Sequence, residues 1–467
     1  MKREALGVAL LLLCAAGAMA LLQGRSILGA VVWLVAYAAV VALTARAARR
    51  QRTLARRLGT YVTVRSVLVF GLAAPLVQQP VWTTWPAWGA LLLVVAVIRC
   101  EPRLGRSLRR HGVRTANLPG LQTPAALSGP ATVLFLCQLA VLPALLVLGL
   151  VDAAPVFWLL LVLPSVGAAV WAATVGLTRR WQIGNARTVL TTVLEAYRPR
   201  FAVYWDAPPG SGYQLAMWLP YLRRVGEPFV VLVRNPAGFN EAAALVDDVP
   251  VVLTRTLADV ERCVVPTLRA AFYVNNAARN SHLVRFAALT HVQLLHGDSD
   301  KAPSYNPVTA MFDRIFVAGQ AGIDRYGAHG VDIPRERFAI VGRPQVESIE
   351  LVDTTADRVP TTVLYAPTWR GQHTDAAYSS LEHGPALIEM LLARGCAVVF
   401  RPHPYSRRDA GHRALIEQIH ERLASDTGPA RSEHLFGPDA TDISVNDCFN
   451  RCDAMIADVS SVVVDFL

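Results

Sequence analysis

Charged residues are scarce in this chain: Asp, Glu, Lys and Arg make up 17% of its 467 residues, while hydrophobic residues make up 53%. Ordinary soluble domains carry about a quarter charged residues. The shortfall excludes a wholly water-soluble protein and puts part of the chain in a bilayer. Cysteine is sparse too. Seven cysteines, an odd number scattered in apolar surroundings, exclude a disulfide framework and read as reduced thiols. Cys448 and Cys452 are one helical turn apart, but no second Cys or His pair follows at a metal spacing, so they read as two residues on one helix face. The formal charge of +10 lacks the stripe of basic and aromatic residues that a nucleic-acid surface needs. Nucleic acid is therefore not an expected partner; the arginines gather between hydrophobic runs, as in cytoplasmic loops of membrane proteins.

Those hydrophobic runs fill the first 184 residues. Residues 5–22 form an apolar stretch after Lys2 and Arg3. Ala18-Met-Ala20 would suit a signal peptidase, but a second run at 27–43 follows at once, and a helical hairpin is the preferred reading. Further spans are expected at 67–77, extending back toward Tyr61 with Arg65 near the interface, and at 81–98, 131–151 and 156–177. Arginines lie between them, from Arg46 to Arg57 and from Arg99 to Arg114. About six spans, with both termini and both basic loops in the cytoplasm, satisfy this pattern. The spans hold almost no ionisable residues, so the region reads as an anchor rather than a transport path.

From about residue 185 the pattern changes to short β-rich runs alternating with amphipathic stretches. Runs at 201–205, 229–233, 249–253, 271–274, 292–295 and 315–317 read as buried parallel strands, with helices at 214–224 and 323–329 between them. A polar link follows Pro344. A second α/β pattern then has strands at 363–366, 397–401 and 454–457. The expected organisation is a helical membrane region over 1–184, a Rossmann-like domain over 185–350 and a second over 351–467, the last continuing past Leu467.

Ligands of such domains bind at strand carboxyl ends, and several strand ends here carry chemistry. His296-Gly297 follows one strand; the histidine is a candidate general base or a loop residue capping the strand. Asp298-Ser-Asp300 has the spacing of a divalent-metal site, although the reading requires neither metal nor other cofactor. Thr368 and Arg370 end a strand in the second pattern, and Arg401 and His403 end the next; arginine suits phosphate oxygens, and His403 can steady charge on a leaving phosphate. The prolines at 402 and 404 stiffen the loop that carries His403. Asp458-Val-Ser460-Ser461 reads as a strand end, a turn and a helix start, either a phosphate site or a plain N-cap.

Tyr365-Ala-Pro-Thr-Trp-Arg370, Arg401-Pro-His-Pro404 and Asp458-Val-Ser-Ser-Val-Val-Val-Asp465-Phe466, in this order, resemble the CDP-glycerol glycerophosphotransferase family of teichoic acid synthesis. His296-Gly297 is similar to that family's upstream histidine motif. The resemblance implies a GT-B fold of two Rossmann-like domains and transfer of glycerol phosphate from CDP-glycerol to a lipid-linked polymer, releasing CMP. It further implies His296 as the base on the acceptor hydroxyl, and Arg401 and His403 on the donor pyrophosphate. Ser460 and Ser461 would hold the phosphates, and Thr368 and Arg370 would line the cleft with Lys301. Asp465 would reach a ribose or glycerol hydroxyl, or pack. Three features depart from the family: the acidic loop before Lys301, the chain's own multi-span anchor, and a sequence stopping inside a helix. The alternatives are a GT-B glycosyltransferase using a nucleotide sugar, and a non-catalytic scaffold or transporter with a degenerate transferase domain.

Overall fold

The computed structural model describes residues 2–22, 26–49, 59–109, 112–118, 121, 129–350, 360–371 and 377–466. The chain divides into two compact units, residues 1–113 with 122–188, and residues 114–121 with 189–467.

The first unit is helical. Among the described residues, four helices are long and apolar enough to cross a membrane: Ile27–Thr44, Val81–Leu108, Gly129–Leu150 and Pro155–Tyr197. Two apolar stretches, Ala9–Ala20 and Val62–Gly71, are shorter. The span expected at 67–77 is instead two short helices, Val62–Gly71 and Ala74–Val77. Pro75 explains the break, because it has no N–H to donate back to Gly71 and fits only in a first turn. The last helix does not stop near residue 177; it runs 43 residues to Tyr197, about 65 Å at 1.5 Å per residue. The core is built from Trp33, Leu68, Val94, Leu145 and Val162, all fully or almost fully buried. One ion pair breaks its apolar character. Arg65 donates to both Glu101 oxygens at 2.7 Å, and the two residues are 8% and 0% exposed.

The second unit is α/β with two sheets. Its strands are β1 (Arg114–Ala116), β2 (Phe201–Trp205), β3 (Phe229–Val233), β4 (Val251–Leu253), β5 (Ala270–Tyr273), β6 (Thr290–Gln293), β7 (Arg314–Val317), β8 (Phe338–Ile340), β9 (Thr362–Ala366), β10 (Ala397–Phe400) and β11 (Ala454–Ala457). The larger sheet has the order β1-β4-β3-β2-β5-β6-β7-β8 and the smaller β10-β9-β11. All pairings are parallel except β1 with β4. β2 and β3 are buried along their whole length, which their unbroken Phe, Val, Tyr and Trp content allows, since both faces of a covered parallel strand are apolar. Phe201 and Phe229 sit opposite in register and stack at 4.8 Å. Hence the helical region is followed by two Rossmann-like sheets, the fold class expected from the sequence.

Three details differ from that expectation. Arg114, read as the end of a basic loop, begins β1, an antiparallel edge strand pairing with Val251–Leu253. β8, before the polar link, is a strand that was not among those expected. The helix expected over 214–224 is two, Tyr213–Ala216 and Leu219–Arg224, because Pro220 cannot continue the hydrogen-bond ladder from the first.

In the larger sheet the chain order reverses between β2 and β5, and in the smaller one β9 is flanked by β10 and β11. Doubly wound sheets open a crevice beyond the strand carboxyl ends at such points. Most of the candidate side chains collect there.

Candidate functional site

His296 is delivered by a backbone that turns sharply after β6. Leu295 adopts a left-handed conformation with φ of 55°, unfavourable for a branched residue and held here by Trp218, whose Nε1 donates to the Leu295 carbonyl at 2.5 Å. The ring of His296 then donates Nδ1–H to the Val274 carbonyl at 3.0 Å, beyond β5. A carbonyl only accepts, so this bond fixes the tautomer and leaves a lone pair on Nε2. Facing it at 3.4 Å is the Gln214 amide nitrogen. Gln214 is itself oriented: its Oε1 accepts from Asn275 at 2.9 Å and from Trp205 at 3.3 Å. Burial lowers the His296 pKa below the ordinary 6.5, the Val274 bond opposing it and Arg343 adding to it. The ring is a neutral base.

His403 follows β10 with the opposite arrangement. Its Nδ1 accepts the Tyr405 backbone N–H at 3.0 Å, so in the neutral ring the proton is on Nε2. Tyr213, Trp369 and Tyr405 surround it, with ring centroids 6.0, 6.2 and 5.1 Å away. Burial, reinforced by Lys301, His296 and Arg408, pushes its pKa down to about 3. Tyr213 stands 6.0 Å from each of the two histidines, edge-on to both. Burial raises the Tyr213 phenol to about 12, so it stays protonated.

Other contacts tie the two sheets together around these rings. Lys301 donates from Nζ to Thr368 Oγ1 at 2.9 Å. Burial lowers its pKa below 10.5, with Asp458 opposing. An ammonium has three N–H groups, so Lys301 can also serve an anion. Gly297 lies against Ser461: a Cβ built on it would come within 2.7 Å of the serine Oγ. Only glycine permits that approach. Ser461 opens the helix Ser461–Phe466. Beside it, the buried Ser460 Oγ has no hydrogen-bond partner among the described residues. Tyr405 shares a hydrogen bond with Ser211, and Arg408 lies over the Tyr405 ring at 3.5 Å while donating to the Pro209 carbonyl.

His296, His403, Lys301, Thr368, Ser460 and Ser461 thus come from loops around one cleft. The remaining candidates are engaged differently. Arg401 spends its NH1 on the carbonyls of Ala440 and Ile443, the latter at 3.0 Å, around the end of the helix Pro438–Asp442. Asp465 forms a two-pronged pair with Arg343 at 2.5 and 2.9 Å, both side chains mostly buried. Arg370 is exposed. Asp298 and Asp300 both grip Arg325, the second at 2.9 Å. Their charge is met by a guanidinium where the spacing alone had suggested a metal, and among the described residues no cluster of three His, Cys, Asp or Glu could hold one.

Tyr213, Gln214, Tyr405 and Arg343 carry no motif in the sequence and matter here, and Asp458, quoted only as the start of the Ser460-Ser461 motif, proves structural. Asp458 accepts from the Thr368 and Ser380 backbone N–H groups at 2.7 and 3.0 Å, so it fixes loops rather than ligands. Tyr213 and Gln214 had one available signal, the run Pro208-Pro-Gly-Ser-Gly212 after the strand ending at Trp205, a mobile-backbone composition at a strand carboxyl end.

A partly open pocket, about 450 Å³ of empty space counted with its mouth, lies next to His296 in the chain, lined by Gly297, Trp218, Arg343 and Gln345.

Comparison with known proteins gives no match among curated sequences. Solved structures similar to this chain include the wall teichoic acid polymerase TagF, with 13% identity over 63% of this chain and 74% of that one, TM-score 0.35. Others are a glycosyltransferase from Rickettsia africae ESF-5, with 10% identity over 55% and 72%, TM-score 0.33, and MnaA from S. aureus with UDP, with 9% identity over 56% and 73%, TM-score 0.34. Residues 348–467, which hold the Thr368, His403 and Ser460 motifs, match the model of the CDP-glycerol:poly(glycerophosphate) glycerophosphotransferase family.

Proposed function

We propose that this protein is a membrane-anchored transferase that moves glycerol phosphate, or a similar polyol phosphate, from CDP-glycerol to a lipid-linked cell-surface polymer and releases CMP. The observation that carries the reading is the pair of neutral histidines of opposite tautomer, His296 with an Nε2 lone pair met only by the Gln214 amide at 3.4 Å and His403 with an Nε2–H, each 6.0 Å from Tyr213. The family match over 348–467 supports the reaction class.

In this mechanism an acceptor hydroxyl attacks the phosphorus that bears glycerol. His296 Nε2 takes the hydroxyl proton as the new P–O bond forms, and the bond to the bridging oxygen breaks, leaving that oxygen and its electron pair on CMP. His403 donates Nε2–H to the departing phosphate. It need not transfer the proton, because a phosphate is a stable leaving anion. Lys301 supplies positive charge, and Ser460 and Ser461 supply hydroxyls. The enzyme contributes positioning and charge neutralisation. Arg401 and Asp465 act through structure: Arg401 holds the end of the helix Pro438–Asp442, and Asp465 with Arg343 fastens the smaller sheet's last helix.

A cytoplasmic catalytic unit in the plasma membrane fits the arginine-rich stretches between hydrophobic runs. It also fits the pairing of Arg114–Ala116, at the end of the second basic stretch, with β4 of the larger sheet.

The test is CMP release from CDP-glycerol by membranes containing the protein, with and without a lipid-linked acceptor. Acceptor-dependent release that disappears in His403→Ala supports the reading. Turnover of a nucleotide sugar but not of CDP-glycerol would replace it with a glycosyltransferase.

A further inference from the structure

The helical unit contains a partly open pocket, about 350 Å³ of empty space counted together with its mouth, whose lining includes Arg65, Gln138 and Thr60 together with Val41, Phe135 and Leu142. Its most informative residue is Gln138, in the helix Gly129–Leu150. The residue is 1% exposed, and among the described residues neither its Oε1 nor its Nε2 has a hydrogen-bond partner. A buried carboxamide with both ends unmatched is unfavourable in an apolar helical core unless something in the cavity meets it. Arg65 is the second observation. It lines the cavity, whereas its partner Glu101 does not. Glu101 is fully buried behind it, taking one N–H from each terminal nitrogen and the Gly59 backbone N–H at 3.0 Å. A guanidinium has five N–H groups, so donors remain. Gly59 is built for this arrangement, with φ of 82° and a Cβ position 2.8 Å from Pro102, so the turn that leads to Thr60 and Arg65 tolerates only glycine.

The chemistry of the cavity is that of an amphiphile site: guanidinium and amide donors beside valine, phenylalanine and leucine. Thr44 and Thr60, both in its lining, flank the arginine-rich stretch 45–59, so the cavity lies toward the basic ends of the spans, where lipid head groups are found. We propose that this cavity binds the phosphate-bearing head group of a lipid, with Arg65 and Gln138 donating to the phosphate and the first part of the tail against Phe135 and Leu142. The site is separate from the histidine cleft and stands independently of the transferase reading.

The test uses the full chain, purified in detergent and stripped of lipid, with its unfolding temperature followed against dioleoyl phosphatidate, dioleoylglycerol and inorganic phosphate. Phosphatidate should raise it saturably, while dioleoylglycerol, which has the chains without the phosphate, and inorganic phosphate, which has no chain, should not. Gln138→Leu removes the unmatched amide and should fold at least as well as the parent, yet weaken the phosphatidate midpoint by about tenfold or more. Val41→Phe, which narrows the cavity and leaves the polar groups in place, should weaken it similarly. Equal responses to phosphatidate and dioleoylglycerol, a response to inorganic phosphate alone, or an unchanged midpoint in both variants would each overturn the proposal.

Discussion

In the half of the α/β unit built on the larger sheet, His296 gives its Nδ1 proton to the Val274 carbonyl; in the half built on the smaller sheet, His403 uses Nδ1 to accept the Tyr405 amide. Both rings are kept neutral by burial, and both face Tyr213. The backbone group each ring meets decides which nitrogen is left for chemistry. One half therefore presents an acceptor and the other a donor, from the same side-chain type. The halves also differ in how they hold their site. The larger sheet orients His296 through a side-chain network of Gln214, Asn275 and Trp205, whereas the smaller one uses a rigid loop, with the 3₁₀ turn Pro404–Arg408 starting directly after His403.

The largest test of this asymmetry is removal of the base. His296→Ala should lower kcat by roughly 10²- to 10⁴-fold in the CMP-release assay, the range of a lost general base. His403→Ala should lose about 10²- to 10³-fold, as for a donor to developing charge. His403→Gln, which keeps an N–H donor, should recover part of that, whereas His296→Gln, which supplies no base, should not. Equal rescue at both positions would erase the distinction between the halves.

The fastening of the two halves can be tested by stability. Arg343→Leu leaves Asp465 without its partner and should destabilise the protein by about 2 to 3 kcal/mol in denaturant unfolding, somewhat less than a fully buried pair because both side chains keep some exposure. Replacing both, Arg343→Leu with Asp465→Leu, should cost less than the single change. Lys301→Met should raise the donor KM by about tenfold while leaving the fold intact, since the side chain makes one neutral hydrogen bond to Thr368 and its charge serves the anion.

The smallest effect concerns pH. His296 must be deprotonated to act, and its pKa lies below 6.5 in the folded protein, so the acid limb of kcat/KM should fall below pH 6.5. In the unfolded chain both histidines titrate near 6.5, whereas in the folded one His403 does so at about 3. The unfolded state therefore binds more protons between these values, and stability present above pH 6.5 should be lost progressively as the pH falls toward 3. An acid limb above pH 7 would show that His296 is not held neutral by its pocket.

Much of the strand pattern was legible because covered parallel strands are unbroken apolar runs. Residues 201–205 and 229–233 coincide with β2 and β3 for that reason. The His296, Thr368, His403 and Ser460 loops were legible as strand ends bearing polar side chains. Arg65 could be read as buried, but not as the partner of Glu101, 36 residues away in a run that looked like the start of a basic loop. Nor could the sequence reveal that Arg401 would be taken up by helix carbonyls and Asp465 by Arg343, since the same residue types serve phosphates and backbone equally well.

By itself the sequence determined the sequence of regions, an apolar helical one followed by two α/β patterns, because hydrophobic period and run length are local properties of the chain. Tertiary structure alone decided the rest. The three-residue strand Arg114–Ala116 exists because β4 offers it an open edge, not through any propensity of its own. The tautomers of the two histidines were set by Val274 and the Tyr405 amide, because a tautomer follows the partner a ring meets in space.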